Sequence, residues 1–188
     1  MKFSTKRYLV RDEGQLRALA SPVRQAIIDA VVAAGPCAMK DIAAYVGRPA
    51  NALYHHVHAL RQVGLLTERP AKAGRGRPGV LFDVPGRPMV IRYEPEVTRT
   101  GPPMRRIVNA MTRAAARDFA KGYRRGVAVS GETRSLWAAR SEAWLTDAEL
   151  RAVNRMLVRA IRLVQTGAPR AGAPARLHSL TFVLAPRT

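Results

Sequence analysis

The sequence has a single cysteine, Cys37, so no internal disulfide can form. A chain with one thiol is expected in a reducing compartment, the cytoplasm. No run of about 18 apolar residues occurs, which argues against a membrane-spanning helix. The opening MKFSTKRYLVRDEG carries charge without an apolar stretch, so no secretory leader is expected. Acids are scarce, 13 Asp and Glu in 188 residues, and they are scattered. No nucleophile–base motif, phosphate-loop glycine pattern or metal cluster appears, so no enzyme, cofactor or metal site is expected.

What is abundant is arginine. Lys and Arg total 32, giving a net charge of +19, and 27 of the 32 are arginine. A GC-rich genome accounts for arginine over lysine but not for the surplus of base over acid. Such a surplus points to a polyanionic partner, nucleic acid before anionic membrane. The 47% apolar content is sufficient for a core.

Along the chain, 15–20 reads as a short helical lead-in. Ser21 and Pro22 are a helix start, serine at the N-cap and proline at the first helical position. That helix sets Val23, Ile27, Val31 and Ala34 on one face and stops at Gly35 and Pro36. A second helix spans 39–46, with Ile42, Ala43 and Val46 inward, and Gly47 ends it. Pro49 opens a third helix to about Val63, with Leu53, Val57 and Leu60 as its apolar stripe. Arg48, Asn51, His55, His58 and Gln62 fall on the other side. Two β-prone runs, 65–68 and 80–84, enclose a loop containing AGRGRPG, which reads as a hairpin.

Helix, helix, turn, helix and hairpin in this order resemble the winged helix-turn-helix of ArsR-type regulators. The likeness rests on LRALASPVRQAIIDAV, MKDIAAYVGRPANALYHHVHALRQVGLL and GRGRPGVLFDV, roughly residues 14–85. It implies a recognition helix at about 49–63 in the major groove and a wing at 69–79 on the minor groove or backbone. Small residues at Ala50 and Ala52 let the backbone approach the bases, and Asn51 suits a bidentate bond to adenine. Tyr54, His55 and His58 are placed for bases or phosphates, and Arg48 for a phosphate. Arg75 and Arg77, in the AT-hook-like RGRP, suit a narrow minor groove. Many ArsR-type proteins sense metals through a Cys-x-Cys pair, which this second helix lacks. His56 reads as a half-buried structural residue. Cys37 reads as a buried thiol, although a nearby helix N-terminus would lower its pKa.

The segment 86–103 reads as a proline-rich linker with one strand at 89–93. Beyond it, 104–123 is expected to be one long helix and 126–131 a turn or short strand. A helix is also expected over 135–144. Thr146 with Glu149 makes a capping box for a helix to about Gln165. The stretch 178–184 reads as a final strand with His178 in a core or at an edge. Trp137, Trp144 and Met156 are read as core, with a pocket or interface as the alternative. Arg106, Arg113, Arg117, Lys121 and Arg124 share a broad face of the long helix. Arg151, Arg155, Arg159 and Arg162 recur at i, i+4, i+8 and i+11. Solvated faces, phosphate contacts and an anionic ligand site all fit these rows.

The expected fold class is therefore α+β, mainly α. A winged helix-turn-helix fills 1–85, a linker 86–103, and a C-terminal helical α+β domain for dimerisation or effector binding 104–188. The expected function is a sequence-specific DNA-binding transcriptional regulator, a repressor in the leading reading. Its expected partners are double-stranded DNA, a second copy of itself and an unidentified small-molecule or anionic effector, with no membrane. The competing readings are an architectural, nucleoid-associated DNA-binding protein and a winged-helix protein-interaction module.

Overall fold

A computed structural model describes residues 7–71, 79–92, 101–127, 129–166 and 176–187. The chain divides into two compact units, Met1–Ala110 and Met111–Thr188.

The first unit is built on helices, some of whose ends were readable in the sequence. Helix α1 (Glu13–Leu19) starts where the Asp12 side chain accepts from the Gln15 amide at 3.1 Å. Helix α2 (Pro22–Ala34) has Ser21 at its N-cap, without a side-chain capping bond, and Pro22 in its first turn. It buries Ile27, Ile28, Ala30 and Val31, whereas Ala34, expected inward, is exposed. Helix α3 (Met39–Val46) ends at Gly47, whose φ of 69° is a left-handed conformation that favours glycine. A 3-10 turn at Ala50–Ala52 precedes helix α4 (Tyr54–Gln62). The expected single helix from Pro49 is thus two pieces, joined at Leu53.

Strands complete this unit. Strand β2 (Cys37–Ala38) and β3 (Thr67–Pro70) flank β4 (Val80–Asp83) in an antiparallel sheet of order β2-β4-β3. The β3–β4 register pairs Thr67 with Asp83 and Pro70 with Val80. Pro70 lies on an edge strand, where its missing donor breaks no ladder. A second sheet, unforeseen in part, pairs β1 (Tyr8–Val10) in parallel with β5 (Met89–Ile91). The β5 segment was expected within a linker, but its partner was not expected at all. Gln15 ties β1 to the end of α4, its Nε2 donating to the Tyr8 hydroxyl at 2.8 Å and the Val63 carbonyl at 3.0 Å.

Helix α5 (Gly101–Arg124) begins in this unit, with Pro102 and Pro103 in its first turn, where proline is tolerated. Ile107 and Ala110 on it are buried. The Ile107 carbonyl accepts from Gln25 Nε2 at 3.4 Å.

The second unit contains the rest of α5 and helix α6 (Asp147–Thr166). The capping box forms as expected: the Thr146 amide donates to Glu149 Oε2 at 2.8 Å, and the Glu149 amide to Thr146 Oγ1 at 3.4 Å. Three expectations fail here. The segment 135–144 is not helical. Ten residues are too few to hold a helix in water unless a packed face supports them. Here Trp137 is 64% and Trp144 102% exposed, so they and Met156 are not core. Nor is 178–184 a strand: no described strand pairs with it, and His178 is exposed, its Nδ1 3.0 Å from the Arg176 carbonyl. At 126–131 a turn forms at Arg125 and Gly126, with no strand among the described residues. No described side chain from 111 to 187 is buried. Among the described residues no helix is long and apolar enough to cross a membrane.

Candidate nucleic-acid interface

The candidate surface is the outward side of the α3–α4 pair. Leu53, Val57 and Leu60 are buried and hold the inner side of α4 against α2 and α1. By helical geometry the polar residues between them then face away. Tyr54 is 59% exposed, and Asn51, His55 and His58 are exposed. Arg48, exposed in the turn before them, donates its backbone amide to the Ala43 carbonyl at 3.2 Å. The structure therefore brings five of the seven expected contact residues onto one continuous stretch, Arg48 to His58. Arg75 and Arg77 lie outside the described residues. The hairpin is described to its last pair, where the Ala71 amide donates to the Gly79 carbonyl at 2.8 Å.

A cationic neighbourhood surrounds this stretch. His55 and His56 have ring centroids 3.8 Å apart at an interplanar angle of 41°. Half-burial, and then the charges of His55, Arg24 and Arg48, hold the His56 pKa below its ordinary value. Arg24 was not anticipated. It sits on α2, far in sequence from the turn, and only folding brings it near His56. Its Nε is buried without a hydrogen-bond partner among the described residues.

This gives a test by pH. Because the folded state disfavours the proton on His56, the unfolded chain takes it up first. Its stabilising effect is complete above the ordinary imidazole value of about 6.5. It is lost as pH falls from there through the lowered folded value. Urea midpoints between pH 8 and pH 5 should fall more steeply for the native chain than for His56→Gln. Parallel profiles would refute this role.

Cys37 is buried on β2. Burial pushes its thiol up to about 11, with Asp41 and Asp83 reinforcing the effect and Arg87 opposing it. The expected lowering by a helix N-terminus is overturned, because desolvation of the thiolate outweighs it.

An exposed polar helix face behind a short turn, packed by its apolar side on neighbouring helices, is the arrangement of a DNA-reading motif. Residues 19–69 match the family model of a helix-turn-helix domain. No curated protein was found to match the chain. The helix-turn-helix spans α2 to β3, and so includes Arg24, Arg48 and every expected contact on α4. It supports DNA binding and a role in transcription regulation. A buried acid that the sequence reading did not single out is Asp83. It lies at the base of the hairpin that follows the helix-turn-helix and is fully buried. Its only sequence signal was the ordinary one of an acid in a β-prone run, which gives no warning of burial.

Proposed function

We propose that the protein is a sequence-specific transcriptional regulator of the ArsR type, acting as a repressor in the cytoplasm. Helix α4 with its preceding turn enters the major groove, and the β3–β4 hairpin serves as the wing, carrying Arg75 and Arg77 to the minor groove or backbone. The observation that carries this reading is the division of α4. Leu53, Val57 and Leu60, at its start and along it, are buried, while Asn51 in the preceding turn and Tyr54, His55 and His58 stand exposed, as base-reading side chains would have to be.

Two copies acting together would multiply specificity across paired half-sites. Residues 104–188 are the proposed dimerisation segment. What supports this is the absence of buried side chains in the second unit among the described residues, together with exposed Trp137, Trp144, Leu177 and Phe182.

The test is capture of genomic DNA fragments from the source organism by the full chain at near-physiological salt with excess competitor. The expected result is a small set of two-fold symmetric sites, roughly 1,000-fold or more above background affinity. Asn51→Ala should then reduce discrimination at one base position by about 1–3 kcal/mol and leave the salt dependence nearly unchanged. Broad retention without sharp sites would instead establish the architectural reading, which the +19 charge favours.

A further inference from the structure

Helix α6 has an unusual division of its surface. Arg151, Arg155, Arg159 and Arg162 fall within an arc of about 80° at 100° per residue. All four are exposed. Val153, Leu157, Ala160 and Ile161 lie on the other side and are half-buried within the unit. The row spans about 16 Å along the axis at 1.5 Å per residue. Among the described residues no acid is ion-paired with Arg151, Arg155 or Arg159. Arg155, Arg159 and Arg162 line a shallow depression with Asn154 and Val158. Like charges four residues apart repel one another, so the row is unfavourable for the isolated helix. Helix α5 repeats the arrangement within the same unit: Arg113, Arg117, Lys121 and Arg124 have the identical i, i+4, i+8, i+11 spacing and are all exposed.

We infer that the arginine row of α6 is a second, sequence-independent DNA surface that grips the phosphate backbone outside the helix-turn-helix. This rests on the DNA-binding reading above. Duplex DNA presents one charge per about 1.7 Å of axis, so a row of this length faces several phosphates at once. Guanidinium forks suit phosphate oxygens better than a point charge does, and seven of the eight cations in the two rows are arginine. A bilayer fits less well. An interfacial helix inserts its apolar face, and on α6 Val153, Leu157, Ala160 and Ile161 of that face are already half-buried.

The experiment uses the full chain and a duplex of about 30 base pairs that lacks any operator, read by fluorescence anisotropy from 50 to 300 mM salt. Each phosphate contact contributes roughly 0.9 to the slope of log K against log salt. The variant R151Q/R155Q/R159Q/R162Q should flatten that slope by roughly 2–4. The matching four-lysine variant should retain most of it, which separates charge from folding, and far-ultraviolet circular dichroism should be unchanged in both. An unchanged slope in the glutamine variant overturns the inference. So does a loss confined to phosphatidylglycerol vesicles, or an equal loss in the lysine variant. The two readings fail separately. Discrimination between operator and scrambled duplex reports on the helix-turn-helix and should survive the glutamine changes. If Asn51→Ala leaves discrimination intact, the recognition-helix assignment fails whatever the slope shows.

Discussion

Asp83→Ala is expected to lower the folding stability by about 3–5 kcal/mol, the range for removing one member of a buried ion pair. Asp83 is 0% exposed at the end of β4. Its Oδ1 accepts from Arg87 Nη2 at 2.7 Å and from the Val84 amide at 2.9 Å. Its Oδ2 lies 3.1 Å from Arg69 Nη2, an ion pair whose angle does not make a hydrogen bond. Arg87 in turn donates to the Val31 carbonyl at 2.8 Å and the Val32 carbonyl at 3.4 Å. One carboxylate thus joins the hairpin base, the turn before β5 and the last turns of α2. Removing it strands the mostly buried Arg87 cation in a low-dielectric site. Arg69 is largely exposed, so Arg69→Ala should cost less than about 1 kcal/mol. The measurement is the urea midpoint at unchanged m. A shift worth under about 1 kcal/mol for Asp83→Ala would show that the cluster is not structural. Because Asp83 sets the base of the hairpin, the variant should also weaken DNA binding. Asn51→Ala, on the exposed side, should weaken it with no loss of stability.

Leu60→Ala should cost about 2–5 kcal/mol, the range for truncating a buried leucine. Leu60 is fully buried in the last turn of α4, and its carbonyl accepts the amides of Leu65 at 2.9 Å and Leu66 at 3.3 Å. It therefore fixes both the inner face of α4 and the chain reversal into β3. Tyr54→Ala, on the outer face of the same helix, should change stability by no more than about 0.5 kcal/mol. The pair separates packing from recognition on one helix. Equal denaturant midpoints for the two variants would contradict the orientation of α4 described above.

The helices of the first unit were legible because their signals are local. Ser21 and Pro22 marked a start, Gly47 marked a stop, and the 53–57–60 stripe named the buried side of α4. The hairpin was legible for the same reason, since its two strands are close in sequence. Thr146 and Glu149 likewise marked a helix start three residues apart. Three residues of β1 carry too little alternation to announce a strand. That strand exists only because β5, some 80 residues later, pairs with it.

The segments misread in the second half share one cause. The periodicity in 135–144 and the apolar run in 178–184 are both genuine, but a pattern becomes an element only when something covers its apolar side. Here the cover is only partial: Leu136 is half-buried, while Trp137, Trp144, Leu180 and Val183 stand exposed. Composition and periodicity thus determined the charge, the helix faces and the exposed polar side from Arg48 to His58, because those follow from neighbours within a few turns. Tertiary structure alone decided that Arg24 acts on His56, that Asp83 is buried between two arginines, and that Cys37 is held as a thiol. Each of these depends on desolvation and on charges brought close across long stretches of chain, and neither quantity exists until the chain has folded.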